Sequence, residues 1–203
     1  YICITVFGEV PAGQALLRSG ARAGDEIWVS GTLGDARLAL EAMLGRVQLP
    51  AELLQQTRQR LEAPTPRVAL GLALRGLASS ALDVSDGLLG DLGHILELSS
   101  VGATVDSRCT TPLMAAAAYP QSGAWQFDST LQQQCTLAGG DDYELCFTAP
   151  PAARAAVEAA AALRAQIWRA EKPVPTACSK YRSMLTGFCA QGGQYMCPLD
   201  YID

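Results

Sequence analysis

With 203 residues, 49% of them apolar and 17% charged, the chain can build one sizeable core and is too poor in charge for general disorder. Its formal net charge of −5, without any dense run of Lys or Arg, excludes nucleic acid as a main partner, because a phosphate backbone is bound by a basic patch. No apolar run reaches the ~18 residues of a membrane-spanning helix, so no membrane partner is expected.

The residues at 1–10 read as a strand already under way, and 11–24 as a loop rich in Gly. Residues 26–30 form a short run with Ile27, Trp28 and Val29 at its centre, the pattern of a buried strand. Leu38, Ala39, Ala42 and Met43 recur at helical spacing within 36–44, and 51–61 reads as a second helix. Thr65 and Pro66 supply cap and first-turn chemistry for a third helix, through about 78. Residues 80–84 read as a strand, and 88–98 as a helix with Leu88, Leu92, Ile95 and Leu96 on one stripe. Short strands are expected at 102–106 and 144–148, and an Ala-rich helix at 151–166. Alternating strands and helices make the class α/β, with a mixed sheet and flanking helices. From about Trp168 the periodicity ends, and the chain's two lysines, Lys172 and Lys180, both fall there. A divergent tail is expected at 167–203, behind a domain at 11–166; a loop-rich end and an altered reading frame are both open readings of it.

Seven cysteines are scattered as Cys3, Cys109, Cys135, Cys146, Cys178, Cys189 and Cys197, with no C-x-x-C pair. Neither a disulfide framework nor a zinc site is expected, and with no signal peptide at Tyr1 a cytoplasmic location is. His94 is the single histidine, so chemistry needing several imidazoles is excluded. Any metal must be held by oxygen ligands, which selects magnesium, calcium or manganese.

Two segments carry candidate chemistry. In Asp83-Val84-Ser85-Asp86-Gly87-Leu88, a strand running through Val84 projects Asp83 and Ser85 to one side, with Asp86 at the start of a helix. Carboxylates and a hydroxyl then meet at the carboxyl end of a strand beside a helix amino terminus, a favoured ligand position in α/β sheets. A magnesium–nucleotide contact and a plain helix cap at Asp86 are both open readings. In Gly139-Gly140-Asp141-Asp142-Tyr143-Glu144-Leu145, the glycines allow close backbone approach, and the adjacent acids call for a cation or a donor. A ligand contact and an exposed turn ahead of a core strand both fit.

Arg18, between glycines at 13 and 20, is a candidate phosphate clamp. Arg67 stands in a first helical turn, where a cation opposes the macrodipole, so it is expected to pair with an acid. Residues 31–35 lack the Lys-Ser/Thr of a phosphate loop and read as a helix start, and His94 as a polar residue without a ligand role.

Taken in order, the block at 13–25, Pro64-Thr65-Pro66-Arg67, the block at 82–95 and the block at 138–147 resemble the thiamine-monophosphate kinases. The resemblance runs from Val6 to about Phe147. It implies the fold of the carboxy-terminal domain of the aminoimidazole ribonucleotide synthetase-like superfamily. It also implies transfer of the γ-phosphoryl of ATP to thiamine monophosphate, with magnesium and in a homodimer. Carried over by motif, Asp83 and Asp86 would hold Mg2+, Ser85 and Arg18 would contact ATP, and Asp141 and Tyr201 would contact thiamine monophosphate. The family has Glu where Asp141 stands, which keeps the charge and shortens the reach. Nothing here corresponds to the family's amino-terminal ATP-binding half except residues 1–10, which resemble its last strand; the chain alone is expected to be inactive. The alternatives are another ATP-using enzyme of the superfamily, such as an aminoimidazole ribonucleotide synthetase or a hydrogenase maturation protein, and a non-catalytic binding or assembly domain.

Overall fold

Strands β1 (Glu26–Ser30), β2 (Ser80–Val84) and β3 (Glu144–Ala149) are short and nearly continuously buried, as strands covered on both faces should be. The computed structural model describes residues 3–105, 113–120, 128–162 and 167–170. With β4 (Ile167–Ala170), the strands form one sheet in the order β2-β3-β1-β4. All three pairings are antiparallel, where the sequence suggested a mixed sheet. The fourth strand was also unexpected: its backbone pairs Val29 with Trp168, so the sheet reaches into the segment read as tail.

Register places Val29, Cys146 and Leu82 in one row and Trp28, Phe147 and Ala81 in the next, on the opposite face. The first row packs against Leu88, Leu92 and Ile95 of helix α4 (Leu88–Ser99). The second packs against Leu70 of α3 (Val68–Ala73), Leu74 just beyond it, and Val157 of α6 (Arg154–Ala162). Trp28 and Phe147 stack with ring centroids 6.4 Å apart. Phe147 and Ile27 are fully buried, a contribution of about 1.5–3 kcal/mol each from water exclusion. A third cluster joins Leu38 of α1 (Asp35–Met43), Leu53 of α2 (Ala51–Glu62) and Cys135 of α5 (Ser129–Ala138). No helix among the described residues is long and apolar enough to cross a membrane.

Several elements differ from the expectations. Helix α3 is shorter than 65–78: Thr65 does not cap it, and Gly76 at φ 75 turns the chain out of helix beyond its end. Residues 102–105 form no strand; Ala103 fills the core from a loop. Helix α5 carries three consecutive glutamines and a weak apolar stripe, but the Asp128 side chain caps it by accepting from the amides of Thr130 and Leu131. Residues 3–10 pair with no strand among the described residues, and Ile4, Val6 and Phe7 are 81%, 84% and 90% exposed. The tail from 171 onward, including Tyr201, lies outside the described residues.

Candidate functional site

The carboxyl end of β2 and the turn before β3 are locked together through their backbones. The amide of Asp141 donates to the carbonyl of Ser85, and that of Tyr143 to the carbonyl of Val84, both at 2.9 Å. The approach is so close that a Cβ on Gly140 would lie 2.6 Å from the Ser85 carbonyl oxygen, and one on Gly87 would lie 2.9 Å from Ala138. Asp141 and Tyr143 take left-handed backbones, φ 71 and φ 51, which cost energy in residues with a Cβ and persist because these bonds over-determine the turn. The two sequence motifs are therefore one structural unit.

Asp86 does not cap α4. That position belongs to Gly87, at φ 113 and ψ 147, with no side-chain cap. Asp91, buried in the first turn, reaches back instead and accepts the amides of Ser85 and Asp86 at 2.8 and 2.9 Å. The Asp86 carboxylate is thus left free at the surface, and Asp83 is exposed as well, with Ser85 half-buried between them. Among the described residues, the side chains of Asp83, Asp86 and Asp141 make no hydrogen bond or ion pair.

The buried acids contrast with these. Glu144, fully buried at the head of β3, receives the Ser30 hydroxyl at 2.5 Å, Arg60 at 2.6 Å, and both Nε and Nη2 of Arg67 at 2.6 Å. This is the acid that Arg67 was expected to find, and its hydrogen bond raises the Arg67 pKa. Asp142 accepts the Gly34 amide at 2.7 Å, while its other oxygen is buried without a hydrogen-bond partner. Burial pushes its carboxyl up to about 7. Asp35 accepts the amides of Ala115 and Ala116, and burial raises its pKa too. Residues 31–35 thus begin a helix, as read, with Asp35 tying it to the Ala115–Ala118 turn. Glu144, Asp91 and Asp142 were not singled out as positioning groups; the one signal available was the demand of Arg67 for a partner.

Arg18 is exposed and unpaired among the described residues. Its neighbour Leu17 accepts the Ala81 amide at 2.8 Å, and the Ser99 hydroxyl accepts the amides of Gly20 and Ala21. The loop is therefore seated on the free edge of β2, two residues upstream of Asp83. His94 is exposed on α4. Burial drives the Cys135 and Cys146 thiols up to about 12, so neither is a thiolate nucleophile near neutrality.

No group of three or more His, Cys, Asp or Glu able to hold a metal occurs among the described residues. The unpaired pair Asp83 and Asp86 suits magnesium, which takes one or two carboxylates and fills its octahedron with waters and phosphate oxygens.

Known proteins resemble the chain in sequence and fold. The family described as AIR synthase related protein, C-terminal domain, matches residues 22–172. Thiamine-monophosphate kinase of Salmonella typhimurium is 44% identical over 158 residues, covering 76% of this chain and 46% of that protein. The chain thus spans about half the length of the curated relatives it matches. The crystal structure of thiamine-monophosphate kinase from Stenotrophomonas maltophilia superposes with a TM-score of 0.71 at 43% identity, covering 82% of this chain and 52% of that one. AaThiL complexed with AMPPCP and TMP superposes at 0.59 and 25% identity, covering 79% and 48%. The antiparallel sheet, its flanking helices and the extent of the match make the chain a member of the AIR synthase-related family, built as that family's C-terminal domain.

Proposed function

We propose that the chain is the carboxy-terminal part of a magnesium-dependent thiamine-monophosphate kinase, which transfers the γ-phosphoryl of ATP to thiamine monophosphate. The observation that carries this reading is the junction of β2 with the 139–143 turn. There three carboxylates stay unpaired while the buried acids around them are all engaged. The sequence likeness to thiamine-monophosphate kinases, and the likeness of fold to AaThiL complexed with AMPPCP and TMP, support the choice of substrates.

Asp83 and Asp86 would hold Mg2+, which when bound neutralises phosphate charge. Ser85 and Arg18 would contact ATP, and Asp141 would contact thiamine monophosphate, with Tyr201 assigned the same role from its motif alone. A phosphate oxygen of thiamine monophosphate attacks the γ-phosphorus as the bond to the β-phosphate oxygen breaks. No protein nucleophile is required, because positioning and charge neutralisation carry such transfers. The buried, protonated thiols agree with that. Residues 3–10 form no strand here, but the exposed Ile4, Val6 and Phe7 support reading the segment as one that packs against an amino-terminal ATP-binding domain. The homodimer and the cytoplasmic location belong to the same proposal.

Incubating the full-length gene product with Mg-ATP and thiamine monophosphate tests it. Thiamine diphosphate should form, and Asp86→Asn should lower turnover by about 10²-fold, in line with the loss of a group stabilising transferred charge. ATP consumption without thiamine diphosphate would point to another member of the superfamily.

A further inference from the structure

One peptide plane, the Ser85 carbonyl with the Asp86 amide, is held from both sides. Its N–H donates to Asp91 Oδ2 at 2.9 Å, and its C=O accepts the Asp141 amide at 2.9 Å. Asp91 also takes the Ser85 amide at 2.8 Å, so one carboxylate oxygen fixes two consecutive amides. Asp91 is 5% exposed, and its backbone is anchored in α4, whose Leu88 and Leu92 are packed under the sheet. Beyond this plane the chain turns through Gly87 at φ 113, a conformation that does not by itself fix the direction of Asp86.

We propose that Asp91 is a positioning residue that sets this peptide plane, and through it both the Asp86 carboxylate and the Asp141 turn. Resting on the kinase reading above, it ties the metal–nucleotide side of the site to the substrate side. Charge on Asp91 strengthens both N–H bonds and polarises the plane, which makes the Ser85 carbonyl a better acceptor for Asp141. Asp91 itself touches no substrate.

A first-turn acid that merely favours the helix dipole would affect stability alone. The distinguishing test measures Mn2+ binding in the presence of ATP, by electron paramagnetic resonance, and hydrogen exchange across 139–143, on the full-length gene product and its Asp91→Ala and Asp91→Asn variants. Asp91→Ala should weaken Mn2+ by about 10- to 100-fold, the usual effect of removing a group that orients a metal ligand, and should speed exchange at the Asp141 amide. Asp91→Asn keeps an acceptor oxygen without the charge, and should show a smaller change in the same direction. If Asp91→Ala does not fold, Asp91→Asn decides: wild-type Mn2+ affinity with unchanged exchange at Asp141 overturns the proposal. Failure of the wild-type protein to bind Mn2+ would instead overturn the metal reading of Asp83 and Asp86, and the positioning role with it.

Discussion

The Asp141 amide reaches the Ser85 carbonyl across 2.9 Å, and this bond turns two separate acidic motifs into one structural unit. Its closeness depends on Gly140, where no side chain intervenes.

Gly140→Ala should therefore break the junction. The new Cβ would sit 2.6 Å from a backbone oxygen, which cannot swing aside as a flexible side chain would. A loss of about 1–3 kcal/mol is expected in urea denaturation, together with weaker binding of thiamine monophosphate. Gly90→Ala is the matched control, since its Cβ would meet nothing within 4 Å on α4 and should be neutral or stabilising. Equal effects at the two positions would contradict the assignment.

Glu144→Gln should be the more damaging change. It leaves Arg60 and Arg67, whose side chains are only 19% and 16% exposed, facing an uncharged partner in a buried site. Breaking such a pair costs about 3–5 kcal/mol, visible as a large drop in melting temperature. Arg67→Met should cost less, because Arg60 keeps the Glu144 carboxylate paired. A mild effect of Glu144→Gln would show that the cluster adds little to stability.

Much of this junction and of the candidate site it carries was legible in the sequence, and the limits have physical causes. Asp-Val-Ser-Asp-Gly-Leu and Gly-Gly-Asp-Asp-Tyr-Glu-Leu carry their turn chemistry locally, so strand, loop and acids were legible. Two readings of Asp86 stayed open because a helix cap and a free ligand use the same residue type. The structure removes the cap reading, because Gly87 holds that position and Asp91 takes the Ser85 and Asp86 amides; the ligand reading is part of the proposal above. The link of Arg67 to Glu144 spans 77 positions and has no local signature. Helix α5 escaped because its glutamines hide the apolar stripe that periodicity detects. Residues 102–105 misled in the other direction: apolar alternation marks burial, and here burial comes from a loop.

Asp142 gives the fold a pH dependence of known sign. Its carboxyl rises from 3.8 to about 7, first because it is desolvated and further because Asp35 lies near, against the opposing hydrogen bond from Gly34. The folded chain then keeps a proton that the unfolded chain has released. Stability from this group is complete below about pH 4 and is lost as the pH rises through 7. Urea midpoints at pH 5 and pH 8 should fall more for the wild type than for Asp142→Asn, which has no proton to lose. Parallel declines would contradict the shift.

The most direct measurement is calorimetric titration of the full-length gene product with Mg-ATP and with thiamine monophosphate, set beside Asp86→Asn. The expected result is that the wild type binds both ligands and the variant loses Mg-ATP affinity while retaining thiamine monophosphate. Absence of thiamine monophosphate binding by the wild type, or undiminished Mg-ATP binding by Asp86→Asn, would contradict a kinase site built on the β2 carboxyl end.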